Sequence, residues 1–453
     1  MQQPIRAVFL AKEIAVNHLP HRIVIVGGGA GGLELAARLR RVIGNSSVVE
    51  LTLVDQNLSH LWKPLLHEVA AGTMDASIEE CDYLTLAHRH GFRFRFGRMI
   101  GLDRSRKTIL LSAANDNRGF EIIPPGSLAY DTLVIAVGSR SNDYGIEGVG
   151  EHCLFLDTRQ QADRFHETLL QQFLKLQYGD NSLTDASSTL KVAIIGAGAT
   201  GVELAAELHH VAGRLKAFGF NHLAGAGPIR IVLIEGSNRI LQALPERVVA
   251  AAERELHRRG VVIRTGDAVK AATAEGIILK SGEIISAHLK VWAAGIKAPE
   301  FLKGLDGLET NRLNQLVVHQ NLMTTRDENV FAMGDCAACP QPGTDRLVPP
   351  RSQAAHQQAR LLAKSLVRHL EGKPALKYIY RDYGSLIYLS SSTVGNLMGN
   401  LLGSRFIEGR LARLIYFSLY RSHQRVVLGL LKTLLITATD RITRRIRPRL
   451  KLH

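Results

Sequence analysis

Two stretches of the chain share one succession of apolar and polar positions. The run "RIVIV" (22–26) is rich in β-branched residues, as a strand buried on both faces of a parallel sheet requires. A glycine-rich turn (27–32) follows, then "LELAARLRRV" with apolar positions at helical spacing, then "VELTLVD" (49–55), a second strand ending in an acid. The same syntax returns as "KVAIIG" (191–196), "VELAAELHHV" (202–211) and "IRIVLIE" (229–235). The second copy carries an insertion, "AFGFNHLAGAGP", between helix and strand. Both copies predict strand, turn, helix, strand. Near the C-terminus the pattern changes. On a helical wheel Arg410, Arg413, Arg421, Arg425 and Lys432 gather in one arc, with Tyr416, Leu419, Tyr420, Val426, Val427, Leu430 and Leu434 largely opposite. Leu414 and Phe417 intrude on the basic arc, and Gly429 is a candidate break.

The turns carry the candidate chemistry. In Gly27-Gly28-Gly29-Ala30-Gly31-Gly32, Gly27 permits the tight turn, Gly29 the approach of a pyrophosphate, and Gly32 close packing of helix on strand. The helix N-terminus then offers unpaired N–H groups to the phosphates. Asp55 is placed to accept hydrogen bonds from a ribose hydroxyl. The second turn repeats this with Gly196, Gly198, Thr200 and Gly201, and its acid is Glu235. An acid there repels a 2′-phosphate, so NADH is expected over NADPH, although Arg239 lies close enough to blunt the preference. Two dinucleotide folds imply two dinucleotides, and the economical pair is a resident FAD and a visiting NADH, whose cofactors carry the chemistry while the protein positions them.

Charge adds a second theme. The formal net charge is +15, and from Ser404 onward twelve Lys/Arg face only Glu408 and Asp440, a net of +10. The body is close to neutral, so the tail has its own task. Its wheel reads as a helix in a lipid interface, tyrosines at headgroup depth and cations toward anionic lipid. The competing reading is a helix packed on the body or on a second subunit. A nucleic-acid partner would account for the charge but not for the apolar face. No stretch reaches the roughly 18–20 uninterrupted apolar residues of a spanning helix. Residues 1–20 lack the pattern of a signal peptide and read as an extension. Four cysteines argue for a reducing compartment. The only close pair, Cys336 and Cys339, lacks a second ligand pair, and no metal site is expected.

Further segments resemble known families. "YDTLVIAVGS" (130–139) and "VFAMGDCA" (330–337) are similar to motifs of the two-dinucleotide-fold flavoprotein reductases. The resemblance implies that Gly138, Gly334 and Asp335 belong to the FAD site, Asp335 on the ribityl–phosphate arm. "VWAAGIKAP" (291–299) resembles the return crossing near the nicotinamide and brings in Gly295. "HLWKPLLHEVAAG" (60–72), with Lys63, has no cysteine pair where disulfide reductases carry one, and instead resembles the type II NADH:quinone oxidoreductases. "VPPRSQAAHQQA" (348–359) resembles that family's quinone-site helix, with Ser352 in place of an alanine. Gln353 and Gln357 fill its glutamine positions and Gln358 the last. "SRSNDYGIEGV", "LETNRLNQLVV" and the ending "RIRPRLKLH" resemble the enterobacterial form. The prolines Pro349 and Pro350 can start a helix, which would put Gln353 and Gln357 on one face as donors toward a quinone head. His356, about 100° away from each, reads as structural.

The expected fold is α/β: two Rossmann-like, glutathione-reductase-like domains, one inserted in the other, plus a C-terminal amphipathic helical membrane-binding region. Residues 21–145 and 305–370 are expected to form the FAD domain, 146–304 the NADH domain, and 371–453 the membrane-associating region. The resemblance implies a respiratory enzyme on the cytoplasmic face of the cell membrane, a homodimer, that passes hydride from NADH to FAD and two electrons to a membrane quinone without pumping protons. Glu203, in "GATGVELAAEL", is implied to lie near nicotinamide and flavin and is the candidate for influencing quinone protonation. A soluble NADH-dependent oxidase or ferric reductase is the alternative.

Overall fold

The β-branched run of the first copy becomes β1 (His21–Val26), and its glycines lead into α1 (Ala30–Ile43) and β2 (Val49–Asp55). This computed structural model describes residues 19–44, 47–116, 118–178, 189–215, 229–390, 392–399 and 403–446. The extension at 1–18, the 217–228 insertion and the basic end at 447–453 lie outside the described residues.

After β2 come α2 (Leu66–Ala71), α3 (Tyr83–His90), β3 (Arg93–Phe96) and β4 (Thr132–Ile135). The second copy follows β5 (Leu154–Phe155) and α4 (Arg159–Tyr178) with β6 (Leu190–Ile195), α5 (Ala199–Ala212) and β7 (Ile229–Glu235). It continues through α6 (Glu246–Arg258), β8 (Val262–Thr265) and β9 (Leu289–Trp292). The chain then returns through β10 (Met323–Thr324), β11 (Asp327–Ala332) and α7 (Ser352–Leu370). It ends in a hairpin sheet, β12 (Gly384–Leu389), β13 (Ser392–Gly399) and β14 (Gly403–Glu408), and two helices, α8 (Gly409–Leu428) and α9 (Leu430–Ile446).

The first sheet has the order β10-β11-β4-β1-β2-β3 and is parallel except for β10. Its two halves come from before and after the second copy, so the second domain is an insertion. The second sheet, β5-β9-β6-β7-β8, is wholly parallel. The outgoing and returning chains pair antiparallel at the crossing, Arg140 opposite Lys297 and Ser141 opposite Ile296.

Each sheet is buried between helices, which explains the near-continuous apolar strands. Ile23, Ile25, Leu33, Leu35, Leu39 and Phe331 form part of one core, and Leu169, Phe173, Ile194, Leu204 and Leu233 part of another. The C-terminal hairpin bridges the domains: Arg259, on the second, donates to the carbonyls of Ala206 and Leu389 at 3.1 and 2.7 Å, while α8 packs on α1 of the first.

Candidate functional site

The two glycine turns have one geometry. Gly27 and Gly196 take φ of +103° and +98°, in the region where an L side chain is strained. A Cβ on either would also enter backbone, 2.4 Å from the Ala136 oxygen and 2.6 Å from the Ala294 Cα. Gly32 and Gly201 press on the turn itself, since a Cβ would stand 1.9 Å from the Gly27 oxygen and 2.0 Å from the Gly196 oxygen. The middle glycines differ in kind. Around Gly29 and Gly198 nothing lies within 4 Å of a Cβ position. Neither α1 nor α5 has a side-chain cap or an acid in its first turn, so the leading N–H groups of both helices face open space. Ala30 and Thr200 stand in these first turns, Thr200 exposed. This is a cradle of backbone donors for an anion, built twice.

Each turn is locked by the acid at the end of its second strand. Asp55 Oδ2 accepts from Gly28 N–H at 2.6 Å, and Oδ1 from Asn57 N–H at 2.8 Å. Burial raises the Asp55 carboxyl above its ordinary range. Glu235 Oε2 accepts from Ala197 N–H at 2.9 Å, and Oε1 from Ser237 N–H at 3.0 Å and from the Ser237 hydroxyl. Arg239 does not reach this carboxylate by any hydrogen bond; its guanidinium donates to the Gln242 and Leu244 carbonyls at 2.7 and 3.3 Å.

A second cluster lies where the first sheet meets the crossing. Ser139 Oγ donates to Asp335 Oδ2 at 2.7 Å, and Gln315 Nε2 to the Asp335 carbonyl at 2.8 Å. Gly334 (φ +72°) donates its N–H to Gln358 Oε1 at 2.7 Å. Lys63 Nζ donates to the Ser139 carbonyl at 2.9 Å and to Asp157 Oδ1 at 3.1 Å. Gly138 (φ +70°) precedes Ser139, and Gly295 (φ +66°) lies on the returning chain, its missing Cβ replaced by the Tyr144 hydroxyl. A cleft of about 210 Å³ opens here, lined in part by Ser139, Ile296, Gln315, Asp335, Pro349 and Pro350. Ser139 and Gln315 stood inside quoted motifs, but nothing in their spacing marked them as partners of Asp335.

Glu203, two residues into α5 from the second turn, is 7% exposed. Its Oε1 accepts from Tyr388 N–H at 3.0 Å, and Oε2 lies 3.7 Å from His67 Nδ1. Burial pushes Glu203 up to about 8, assisted by the neighbouring Glu207 carboxylate, against the Tyr388 bond. Burial likewise takes His67 down to about 4. At neutral pH the pair is therefore an uncharged acid beside an uncharged imidazole. His67 and Tyr388 escape a sequence reading because they reach Glu203 from α2 and β12, distant in the chain.

Against this geometry, residues 21–359 match the family described as pyridine nucleotide-disulphide oxidoreductase. A type II NADH:quinone oxidoreductase of Haemophilus influenzae is 41% identical over 95% of this chain and 99% of its own length. The chain belongs to the type II NADH:quinone oxidoreductases. The fold agrees with a solved NDH2 from Plasmodium falciparum in complex with NADH, at TM-score 0.79 and 19% identity, over 95% of this chain and 100% of that one. A sulfide:quinone oxidoreductase from Aquifex aeolicus shares the fold at TM-score 0.71 and 18% identity, over 90% and 92%.

In this type II family member the four cysteines are all free thiols. Cys336 and Cys339 are fully buried, and burial pushes their thiols up to about 11 and about 12. They donate weakly to backbone carbonyls and stay protonated, which suits packing.

Three expectations need correction. Helix α7 begins at Ser352, after an extended Arg351 (φ −138°), so Pro349 and Pro350 lie before the helix and line the cleft. The residue before a proline is pushed to extended backbone, which holds this segment open. Gln353 and Gln357 share a face as expected, but their amides are occupied. Gln353 Nε2 donates to Asp382 Oδ1 and the Gly384 carbonyl at 3.2 Å each, and its Oε1 accepts from Tyr383 N–H at 3.1 Å. Gln357 Nε2 donates to the Arg381 carbonyl at 2.7 Å, and its Oε1 accepts from Arg381 N–H at 3.0 Å. An extended backbone beside the helix has unpaired groups of its own, and the two amides satisfy them.

The third correction concerns the tail. Gly429 (φ +77°) does break it, into α8 and α9. Tyr416 and Tyr420, however, are buried against the body. Tyr416 stacks on Tyr388 with ring centroids 5.2 Å apart. Tyr420 stacks on Trp62 at 5.2 Å and donates to Glu79 Oε2 at 2.5 Å. Leu419, Leu430 and Leu434 of the expected apolar face do point outward, joined by Leu411, Leu414, Leu431 and Leu435, all more than half exposed. No helix among the described residues is long and apolar enough to cross a membrane.

Proposed function

We propose that this chain oxidises NADH and reduces a membrane quinone through a bound FAD, on the cytoplasmic face of the cell membrane and without pumping protons. The observation that carries the reading is the doubled cradle: two uncapped helix termini, each open at its middle glycine and each locked by an acid. The names of the relatives support the substrates.

The domain at 21–145 and 305–370 would hold FAD. Gly27, Gly29, Ala30 and Gly32 offer the pyrophosphate cradle, and Asp55, held by two backbone bonds, offers lone pairs to a ribose. Lys63, Gly138, Gly334, Asp335 and Gln353 would line the rest. The open space at Gly29 and the cleft beside Asp335 fit such a group. A bound FAD would supply the hydride-accepting and two-electron-donating chemistry between NADH and the quinone.

The domain at 146–304 would take NADH at Gly196, Gly198, Thr200 and Gly201. Glu235 would accept from the ribose hydroxyls and repel a 2′-phosphate, and Gly295, whose Cβ space the Tyr144 hydroxyl takes, would let the returning chain pass close to the nicotinamide. Quinone reduction also consumes two protons. Glu203, uncharged at neutral pH, holds one at a buried carboxyl. Gln353 and Gln357, by fixing residues 381–384 against α7, would shape the wall of the quinone path. The region 371–453, with its outward leucines and flanking arginines, would rest on anionic lipid, in a homodimer.

The test is anaerobic stopped-flow of the detergent-solubilised protein, read at the flavin band. NADH should bleach it, and a short-chain quinone should restore it. Bleaching without recovery by quinone would sink the quinone assignment in favour of an oxidase or ferric reductase. A colourless protein would sink the flavin assignment.

A further inference from the structure

Three helices distant in the chain meet at a knot of polar side chains behind the first glycine turn. Glu34 of α1, His356 of α7 and His423 of α8 each present one ligand atom, and these atoms lie within 4.8 Å of one another. Glu34 and His423 are only 2% and 5% exposed. His356 Nδ1 bonds Glu34 Oε2 at 2.5 Å, and Arg38 Nε donates to Glu34 Oε1 at 2.5 Å. His60 stands behind them, its Nε2 3.0 Å from His423 Nε2.

The hydrogen-bond count leaves this knot incomplete. The His60 and His423 rings share one hydrogen bond between their Nε2 atoms, which leaves Nδ1 of His423 outside it. That atom is buried and has no hydrogen-bond partner. An unpaired buried ring nitrogen is costly unless something occupies it.

We propose that Glu34, His356 and His423 bind one divalent cation of the zinc class, which staples α8, and with it the C-terminal region, to α1 and α7. Two imidazoles and one carboxylate suit zinc far better than magnesium or calcium, which prefer all-oxygen sets. Ligand atoms about 2.0–2.2 Å from zinc stand about 3.3 Å apart in a tetrahedron. The ligand atoms furthest apart, within 4.8 Å, must therefore close by up to about 1.5 Å, and the Glu34–His356 pair, now 2.5 Å apart, must open by about 0.8 Å as its shared proton leaves. His356, with a quarter of its side chain exposed, gives the entry path and room for a water as fourth ligand. Trp62 stacks 6.1 Å from the His423 ring and shields the inner side. None of the three ligands is among the residues assigned above to FAD, NADH or quinone.

The experiment is a calorimetric titration of zinc chloride into the full-length, FAD-loaded, chelator-stripped protein in detergent. One tight site per chain is expected. His356→Gln and His423→Gln should each weaken it at least tenfold, and the double change Cys336→Ser with Cys339→Ser should leave it unaltered. Cobalt(II) should give absorption bands at longer wavelength than the flavin, lost on adding zinc. His423 is buried, so His423→Gln risks misfolding; His356→Gln, checked by flavin content, keeps the test decisive. With the wild type, zinc should raise the thermal midpoint, and with His356→Gln it should not. Only weak, multi-site binding, affinity unchanged in His356→Gln, or loss of the site in the cysteine variant would each overturn the proposal.

Discussion

The two glycine turns are near copies in sequence, and the structure surrounds them differently. At the first, Gly31 faces Met333, just after β11, and Ala355 of α7, where a Cβ would come 2.8 Å from Met333 Cε and 3.2 Å from Ala355 Cβ. The Tyr83 hydroxyl donates to the Gly28 carbonyl at 2.7 Å and fills the space a side chain on Gly28 would need. At the second, the positions matching Gly28 and Gly31 are Ala197 and Thr200, and Gly198, Ala199 and Thr200 are all exposed. Both turns are open at the middle glycine, but the first is flanked by side chains of its own domain at Gly28 and Gly31, while the second is exposed through Thr200. Such a difference suits a ligand that stays against one that comes and goes, because a flanked site slows escape without changing the phosphate chemistry.

The strongest way to break this contrast is to fill the glycine that presses on each turn. Gly32→Ala and Gly201→Ala each set a Cβ about 2 Å from a carbonyl oxygen, a strain worth about 1–3 kcal/mol or more. Gly32→Ala should yield protein without its yellow colour and with a lowered thermal midpoint. Gly201→Ala should keep the flavin, measured by absorbance, and raise the KM for NADH at least tenfold. If both lose flavin, the turns are not divided as proposed.

Next in size is the membrane side. Replacing Leu430, Leu431, Leu434 and Leu435 by Ser removes exposed apolar area that is worth about 1.5–3 kcal/mol per fully buried leucine. Even partial insertion makes the expected loss of binding to anionic vesicles about a hundredfold. Flavin bleaching by NADH should be untouched, since neither turn is involved. Co-sedimentation and stopped-flow report the two separately.

Glu235→Gln should have a moderate effect. It keeps most of the turn's bonds but removes the charge that rejects a 2′-phosphate. Selectivity for NADH over NADPH, measured as a ratio of kcat/KM, should fall about tenfold, or about 1.4 kcal/mol. An unchanged ratio would remove Glu235 from the ribose site.

The last effect is a pH slope, and it is read as stability alone. Glu203 holds its proton up to about pH 8 when folded but only to the ordinary carboxylate range when unfolded. Between those values the folded state binds more protons, so stability falls as pH rises, by up to about 1.4 kcal/mol per unit. Glu203→Gln mimics the protonated form. Its thermal midpoint should match wild type near pH 5 and exceed it near pH 8, and identical profiles would mean that Glu203 is not a buried neutral acid.

Much of this was legible before folding. Repeated strand–turn–helix–strand units and their terminal acids are local patterns, and the physics behind them is local: a tight turn needs glycine wherever it occurs; the Asp335 motif is legible only through its family resemblance. The corrections share the opposite character. The wheel placed Tyr416 and Tyr420 on one helix face correctly, but could not say that Tyr388 and Trp62 would cover that face. It set Gln353 and Gln357 side by side, but not against the backbone of 381–384 that takes their hydrogen bonds.

The sequence by itself therefore determined two strand–turn–helix–strand units, their order and their acids, because periodicity and turn chemistry act over a few residues. Only the tertiary structure decided which turn is flanked, which leucines face outward, and that Glu34, His356 and His423 meet. Each of those depends on contacts between segments far apart in the chain, where burial, and not spacing, sets what a side chain can do.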